Sequence, residues 1–215
     1  MVDLVAPRPS MPGPPAGGRP PIPGDDRALR RTGWVWGVLR LAMGWIFLWS
    51  FLDRFFGLGF STCRITARVA EDPSQVGGID YLCDDSFMQG GSAVYNFLTF
   101  NAARSHTGDW FSWMAPADAA TQNVWDLIFM LALLGAGVAL LLGVLVRVAA
   151  IGAAILLVFI HLAALVWPAG NPFLTYQLVY AIVLVGIAVA DAGRFLGVGR
   201  WWTSLPVVER APLLH

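Results

Sequence analysis

A run of forty-one residues, 127–167, is predominantly apolar and carries one charge, Arg147. As a single helix this run would be about 60 Å long, twice the ~30 Å hydrocarbon core of a bilayer. It therefore predicts a helical hairpin that turns at Arg147, with spans over residues 124–146 and 148–167. Two further spans are predicted over residues 38–58 and 173–190, and Pro168, Gly170 and Pro172 separate the last span from the hairpin.

The composition agrees with a membrane protein. Of 215 residues, 57% are hydrophobic and 13% are charged, whereas about a quarter are charged in soluble domains. The chain is therefore predicted to be an all-α membrane protein, a four-transmembrane-helix bundle in the lipid bilayer. The 14 basic and 14 acidic residues cancel, so no nucleic-acid partner is expected.

The arginines predict the orientation. Nine lie in the N-terminal tail, at the hairpin turn and after the last span, whereas three lie in the long loop over residues 59–123, which also holds seven acidic residues. By the positive-inside rule, both termini are cytoplasmic and the loop faces outward. We expect multi-pass insertion into the plasma (inner) membrane of a bacterium.

Three regions are predicted along the chain. Residues 1–33 contain eight prolines between positions 7 and 23, so they are expected to form a disordered cytoplasmic tail; a Pro-rich ligand for a partner domain is the less favoured alternative. Residues 34–205 form the membrane domain, and residues 206–215 form a cytoplasmic C-terminal tail.

Both cysteines, Cys63 and Cys83, lie in the outward-facing loop. Thiols outside the cytoplasm are readily oxidised, so a structural disulfide is expected. A redox-active pair is the alternative, although a spacing of twenty is unlike Cys-x-x-Cys. No metal site is expected, because two cysteines without nearby histidines cannot complete a tetrahedral site.

A set of polar side chains lies in the outer third of the predicted membrane, where burial costs several kcal/mol unless partners are found. One interpretation is structural: a carboxylate supports a helix N-terminus, an arginine extends to the surface, and a histidine makes one interhelical hydrogen bond. The other is a single outward-facing pocket for a quinone headgroup or another polar-headed ligand. The residues are Asp53, Arg54, Asp126, His161, Tyr176, Gln177 and Tyr180.

Three further charged residues lie near the opposite membrane surface. Arg40 is expected to extend to that surface, and Asp191 with Arg194 is expected to form a solvated helix end. No motif for a flavin, a phosphate or a nucleophile is present in the sequence. No catalytic residue is assigned, and no covalently bound cofactor is expected.

Several motifs resemble the DoxX family, over residues 34–214. They are LRLAMGWIFLWSFLDRFFGLGFST at 39–62, GGSA at 90–93 with NFL at 96–98, NPF at 171–173 with LVYA at 178–181, and GVGRWW at 197–202. This four-helix membrane family includes relatives of the DoxD-type subunit of thiosulfate:quinone oxidoreductase. The resemblance implies sulfur or thiol oxidation, or oxidative-stress defence, with a diffusible quinone as acceptor.

The sequence departs from that family at two places. Acidic residues and a histidine often follow Asn-Pro-Phe in the family, whereas this chain has Thr175, Tyr176 and Gln177. The segment between Cys63 and Cys83 is also longer than a simple loop. Two hypotheses follow: a membrane subunit of a quinone-linked oxidoreductase, or a noncatalytic scaffold that docks an extracytoplasmic or respiratory partner through the outer loop.

Overall fold

The structure, a computed structural model, describes residues 25–65, 72–102, 105–166, 171, 173–194, 196, 197, 199 and 202. The C-terminal tail and the helix breakers Pro168, Gly170 and Pro172 lie outside these residues. Across the described ranges the regular secondary structure is helical, with no strand, and one isolated antiparallel bridge joins Arg64 and Ile79. The all-helical prediction is confirmed.

Four of the helices in the described part of the chain are long. They are α1 (Asp25–Phe56), α3 (Val124–Leu142), α4 (Val146–Ala163) and α5 (Tyr176–Val189), and a single turn of helix, α2 (Ala93–Asn96), precedes α3. Within the described residues, three helical stretches are long and apolar enough to cross a membrane: Gly33–Phe56, Val124–Leu142 and Val146–Ala163. The fourth helix, α5, is apolar and has 14 residues.

The first helix begins earlier than the sequence analysis placed it. Helix α1 starts at Asp25, so residues 25–33, which were assigned to the disordered tail, are helical. The prolines that argue against a helix all precede residue 24, and nothing after them interrupts helical hydrogen bonding.

The hairpin turn precedes Arg147. Helix α3 ends at Gly143, whose φ of 80° is left-handed and whose N–H donates to the Ala139 carbonyl at 2.9 Å. Leu145 is also left-handed, with φ 52°, and Arg147 already lies in the first turn of α4. Glycine adopts this conformation without a Cβ clash, so it ends the helix.

The helices pack in neighbouring pairs: α1 against α3, α3 against α4, and α4 against α5, while α1 also contacts α5. Two glycines allow a close approach between α1 and α3. A Cβ on Gly44 would lie 2.9 Å from the Leu141 nitrogen, and one on Gly137 would lie 2.7 Å from the Leu48 nitrogen. Small residues at such crossings let helix backbones come together in a membrane.

Two arginines make polar contacts near the hairpin turn, where α3 ends and α4 begins. Arg40 is fully buried; its Nη1 donates to the Leu140 carbonyl at 2.9 Å and its Nη2 to the Leu196 carbonyl. The expectation that Arg40 extends to the surface was wrong, because a carbonyl at the end of α3 and another beyond α5 accept its hydrogen bonds. Arg147 pairs with Asp191 at 2.7 Å, so Asp191 is more than a solvated helix end.

Candidate functional site

The connecting segment, residues 57–123, joins α1 to α3 and lies at the opposite end from the hairpin turn. Apart from α2, it contains short 3-10 turns at Pro73–Gln75, Phe87–Gln89 and Gly108–Met114 and a π-helical turn at Phe97–Ala102. Asp72 caps the first of these, because the Ser74 N–H donates to its carboxylate at 2.8 Å. Hydrogen bonds from Ser74 hold the pKa of Asp72 below its usual value.

The predicted disulfide is confirmed: Cys63 and Cys83 are bonded, with Cα atoms 5.5 Å apart. The bridge packs on Gly57, directly after α1. A Cβ at Gly57 would lie 2.5 Å from the Cys63 sulfur, and the φ of Gly57 is 66°. The Asp80 N–H donates to the Cys63 carbonyl at 3.0 Å, so the two sides of the bridged loop are also paired through their backbones.

Asp53 is 0% exposed and holds the start of the connecting segment. Helix α1 ends just after it, where the Gly57 N–H donates to the Asp53 carbonyl at 2.7 Å. The N–H groups of Phe60, Ser61 and Thr62 then donate to its carboxylate at 2.7, 3.0 and 3.1 Å, and the Ser61 hydroxyl donates at 2.7 Å. Four donors compensate the buried charge, which explains why a carboxylate is tolerated here.

Asp126 has the same kind of role at the start of α3. Asn123 and Asp126 form a capping box in which the Asn123 N–H donates to Asp126 Oδ2 at 3.0 Å. The other oxygen, Oδ1, accepts the Ser92 hydroxyl at 2.8 Å and the Val94 N–H at 2.9 Å. This fully buried carboxylate therefore joins the first turn of α3 to the first turn of α2.

A third attachment uses residues that the sequence analysis did not single out. The Ser105 hydroxyl donates to the Ala163 carbonyl at 2.7 Å, the His106 N–H donates to the Leu165 carbonyl at 3.0 Å, and the Thr107 hydroxyl donates to the Leu162 carbonyl. These three consecutive residues satisfy carbonyls at the C-terminal end of α4. In the sequence, the one signal for this attachment is a polar Ser-His-Thr triplet next to an aromatic stretch.

His161 joins α4 to the beginning of α5. Its Nδ1 lies 3.0 Å from the Thr175 hydroxyl, and its side chain is buried. Gln177, two residues further, is 9% exposed, and its Oε1 accepts no hydrogen bond from any residue that the structure describes. The interhelical hydrogen bond expected for His161 is thus present.

Arg54 lies in the last turn of α1, next to α3. One N–H donates to the Ser50 carbonyl of its own helix at 3.2 Å, and the guanidinium carbon lies 5.6 Å from the centre of the Phe129 ring. The Tyr176 ring meets the Tyr180 ring edge-on, with centroids 6.0 Å apart, and Tyr176 is 67% exposed.

The structure therefore divides the predicted pocket set. The Asp53 and Asp126 carboxylates are directed at the connecting segment, whereas Arg54 contacts Phe129 of α3 and Tyr176 contacts Tyr180 of its own helix. Within the described part of the chain, no group of three or more His, Cys, Asp or Glu side chains is arranged to hold a metal ion.

An apolar groove of about 580 Å³ lies between α4 and α5 and contains none of the predicted pocket residues. Its walls include Ile155, Val158 and Phe159 of α4 and Ala181 and Ile182 of α5.

Comparisons with models of protein families, with curated proteins and with solved structures find no significant match for this chain.

Proposed function

We propose that this chain is a DoxX-like protein of the bacterial plasma membrane that crosses the bilayer four times, with both termini in the cytoplasm. The motifs at 39–62, 171–181 and 197–202 support the family. The arginine distribution supports the orientation. Helix α5 supplies the fourth crossing, because the exposed apolar residues Phe173 and Leu174 extend its 14 residues toward the membrane surface.

The topology is tested by thiol labelling of intact cells. A membrane-impermeant maleimide is expected to label Ala120→Cys in the connecting segment. A cysteine appended to the C-terminus should react only after the membrane is permeabilised. Labelling of the appended cysteine in intact cells would exclude a cytoplasmic C-terminus.

The function that the geometry supports best is docking: the connecting segment is a rigid extracytoplasmic platform for a partner protein. The observation that carries this proposal is the burial of Asp53 and Asp126, whose carboxylates both bind the connecting segment. Together with the Cys63–Cys83 disulfide, they fix the segment before any partner arrives. Preorganisation of this kind lowers the entropy cost of association.

The docking surface consists of Phe60, Ile79, Tyr81 and Leu82, which are exposed apolar residues, and of the exposed carboxylates of Asp80, Asp84 and Asp85. The Ile79 side chain contacts Gly59 next to Phe60, so the two sides of the bridged loop contribute to one surface. Its chemistry fits a partner with an apolar recess and a basic rim.

A lipid membrane fits this docking surface less well than a protein does, because carboxylates next to the apolar side chains repel anionic headgroups. Trp110 and Trp113, which are 72% and 65% exposed, lie elsewhere in the connecting segment. Tryptophan is the side chain that membrane interfaces favour, so we assign those two residues to the bilayer and the docking surface to a protein.

Docking is tested by quantitative co-purification from native membranes in mild detergent. Tyr81→Ser combined with Leu82→Asn removes the apolar part, and asparagine tolerates the positive φ of Leu82. Asp84→Lys combined with Asp85→Lys reverses the charge. Each pair is expected to lower the amount of co-purified partner protein about tenfold relative to the unaltered chain, as for loss of a central contact.

Matched controls lie in the same segment. Trp110→Ser removes an exposed aromatic side chain, and Asp109→Lys reverses an exposed charge, both outside the docking surface. These variants should retain every co-purified protein. Retention of the same proteins by the two docking-surface variants would exclude docking at this surface.

A second function, a quinone-linked oxidoreductase subunit acting in sulfur or thiol oxidation, is favoured by Gln177. Its buried Oε1 has no donor among the described residues, and a quinol hydroxyl could supply one. The nearby His161–Thr175 pair could pass a proton to the quinone oxygen when the quinone is reduced to the quinol. Electrons would come from a partner subunit.

Quinol binding is tested with the purified full chain and a soluble ubiquinol or menaquinol analogue, the reduced form that carries the donor hydroxyl. His161→Gln and Gln177→Leu are expected to weaken binding by about tenfold, as for a buried hydrogen bond. Tyr95→Phe, in α2 and outside the predicted pocket set, should bind as the unaltered chain does. Equal affinity in all four proteins would remove this candidate.

A further inference from the structure

Two residues at the Cys63–Cys83 disulfide have a backbone conformation that L-residues rarely adopt. The φ of Cys63 itself is 62°, and the φ of Leu82, which precedes Cys83, is 58°. Left-handed conformations are unfavourable for residues with a Cβ, and most of all for bulky ones such as leucine. Such strain persists only where the surrounding structure holds the chain in place.

One side of the bridged loop is held without the disulfide. This anchored side, residues 57–62, follows directly after α1. The backbone N–H groups of residues 60–62 donate to the buried Asp53 carboxylate, and Gly57 and Gly59 are buried. The anchored side therefore stays with the helices whether or not the cysteines are bonded.

The other side of the bridged loop, residues 79–85, is called here the loop arm. No side chain of the loop arm is buried. Ile79 contacts Gly59 and is still 41% exposed. Burial of apolar side chains therefore contributes little to holding the loop arm against the anchored side.

Backbone hydrogen bonds add a weak attachment. The Asp80 N–H donates to the Cys63 carbonyl at 3.0 Å, and the Leu82 N–H donates to the Gly57 carbonyl at 3.3 Å. Hydrogen bonds in a segment with few buried contacts open easily. The covalent bond is therefore the main attachment of the loop arm, and it keeps the strained residues in their left-handed conformation.

The docking surface is divided between the two sides. Six of its seven residues belong to the loop arm, and Phe60 belongs to the anchored side. Loss of the disulfide would therefore separate Phe60 from the other six residues. Strained and accessible disulfides are also the ones that thiols reduce most readily.

We propose that the Cys63–Cys83 bond is a redox switch: its reduction releases the loop arm from the anchored side, and reoxidation restores the contact. The consequence for a partner rests on the proposed docking function, because the oxidised form alone presents the complete docking surface. The release of the loop arm is a property of the fold and is tested separately.

The exchange is a two-electron reduction by a dithiol. Cys63 is 8% exposed and Cys83 is half-buried, so a thiolate of the dithiol attacks the Cys83 sulfur. The S–S bond breaks, Cys63 leaves as a thiolate, and a mixed disulfide joins Cys83 to the reductant. The second thiol of the reductant then displaces Cys83. The reductant ends as a disulfide, and its two protons end on the two cysteines.

Release of the loop arm is tested by hydrogen–deuterium exchange on the full chain in mild detergent, with and without dithiothreitol. Thiol alkylation establishes that the disulfide is reduced. The N–H groups of Asp80 and Leu82 should exchange about tenfold faster after reduction, whereas those of residues 60–62 should keep their protection because Asp53 still binds them. Unchanged exchange in the loop arm, or equal acceleration on both sides, would overturn the switch.

A variant without the disulfide is the matched control for the reductant. Cys63→Ser combined with Cys83→Ser should exchange like the reduced chain in the absence of dithiothreitol. Exchange like that of the oxidised chain would contradict the switch. If this variant does not fold, the reduced unaltered chain decides the question.

The contribution of strain is tested at Leu82. Glycine adopts a positive φ without a steric penalty, so Leu82→Gly should shift the equilibrium with dithiothreitol about fivefold toward the disulfide. Asp84→Gly, at a residue without a positive φ, should not favour the disulfide. Equal equilibria in the two variants and the unaltered chain would overturn strain as the basis of the switch.

Co-purification separates the switch from docking. The variant with both cysteines replaced by serine should lose the partner proteins that the unaltered chain retains. Retention of those proteins by a variant whose loop arm is released would count against docking at this surface, while the switch itself would stand. Loss of the proteins without release of the loop arm would overturn the switch.

Discussion

The Asp53 carboxylate accepts both the backbone N–H and the hydroxyl of Ser61, at 3.0 and 2.7 Å. This pairing joins the last turns of α1 to the first residues of the connecting segment. The segment is therefore attached to the helices by a buried ionic hydrogen-bond network as well as by the chain itself.

Removing that network should release the connecting segment. Asp53→Ala leaves three backbone N–H groups without an acceptor, so we expect a loss of about 3–5 kcal/mol in unfolding free energy, as for a broken buried ionic interaction. Ser61→Ala should cost about 1 kcal/mol, because it removes one hydroxyl donor. Limited proteolysis of the detergent-solubilised protein measures both; an unchanged cleavage rate for Asp53→Ala would contradict the assignment.

Gly57 should control closure of the disulfide. Gly57→Ala places a Cβ 2.5 Å from the Cys63 sulfur at a φ of 66°, a backbone conformation that costs alanine roughly 1–2 kcal/mol. We expect a smaller fraction of protein with the Cys63–Cys83 bond, measured by thiol alkylation on non-reducing gels. Gly77→Ala has a similar φ of 91° and open space around it, so it is the control for backbone strain alone.

Alanine substitutions at two glycines of α3 should differ in their effect on stability, because one of the glycines lies at the α1–α3 contact. Gly137→Ala places a Cβ 2.7 Å from the Leu48 nitrogen, whereas nothing lies within 4 Å of a Cβ on Gly135. We expect Gly137→Ala to lower the unfolding free energy by about 1–3 kcal/mol through overpacking. Gly135→Ala should be neutral or stabilising by about 1 kcal/mol, because alanine favours helix. Thermal unfolding in detergent compares the two, and equal melting temperatures would argue against the close crossing.

The two arginines at the hairpin end should differ in importance. Arg40 is fully buried and donates to the Leu140 carbonyl, so Arg40→Gln should cost about 2–3 kcal/mol. The Arg147–Asp191 pair is 34% and 30% exposed, and solvent screening limits Arg147→Gln to about 1 kcal/mol or less. Raising the salt concentration should weaken the second effect only. A larger loss of thermal stability for Arg147→Gln would reverse this ranking.

The sequence alone was sufficient for the class of protein and for much of its local structure. Apolar length and helix geometry predicted membrane-crossing helices over most of 38–58, 124–146 and 148–167, and a hairpin within a few residues of its observed position. The Cys63–Cys83 bond followed from two cysteines in one loop. The helices depend on residues that are close in the sequence, and the disulfide has one possible pairing because the chain has two cysteines.

The partners of the polar residues depended on tertiary contacts. Asp53 binds residues 60–62, Asp126 binds Ser92 across 34 positions, and Arg40 binds Leu140 across 100. The depth of these side chains in a predicted helix shows that each needs a partner, because burying an unpaired charge is costly. Which donor or acceptor satisfies it depends on how the connecting segment and the helix ends fold back together. Many of these partners are backbone groups, and because every residue carries them, the sequence does not distinguish one from another.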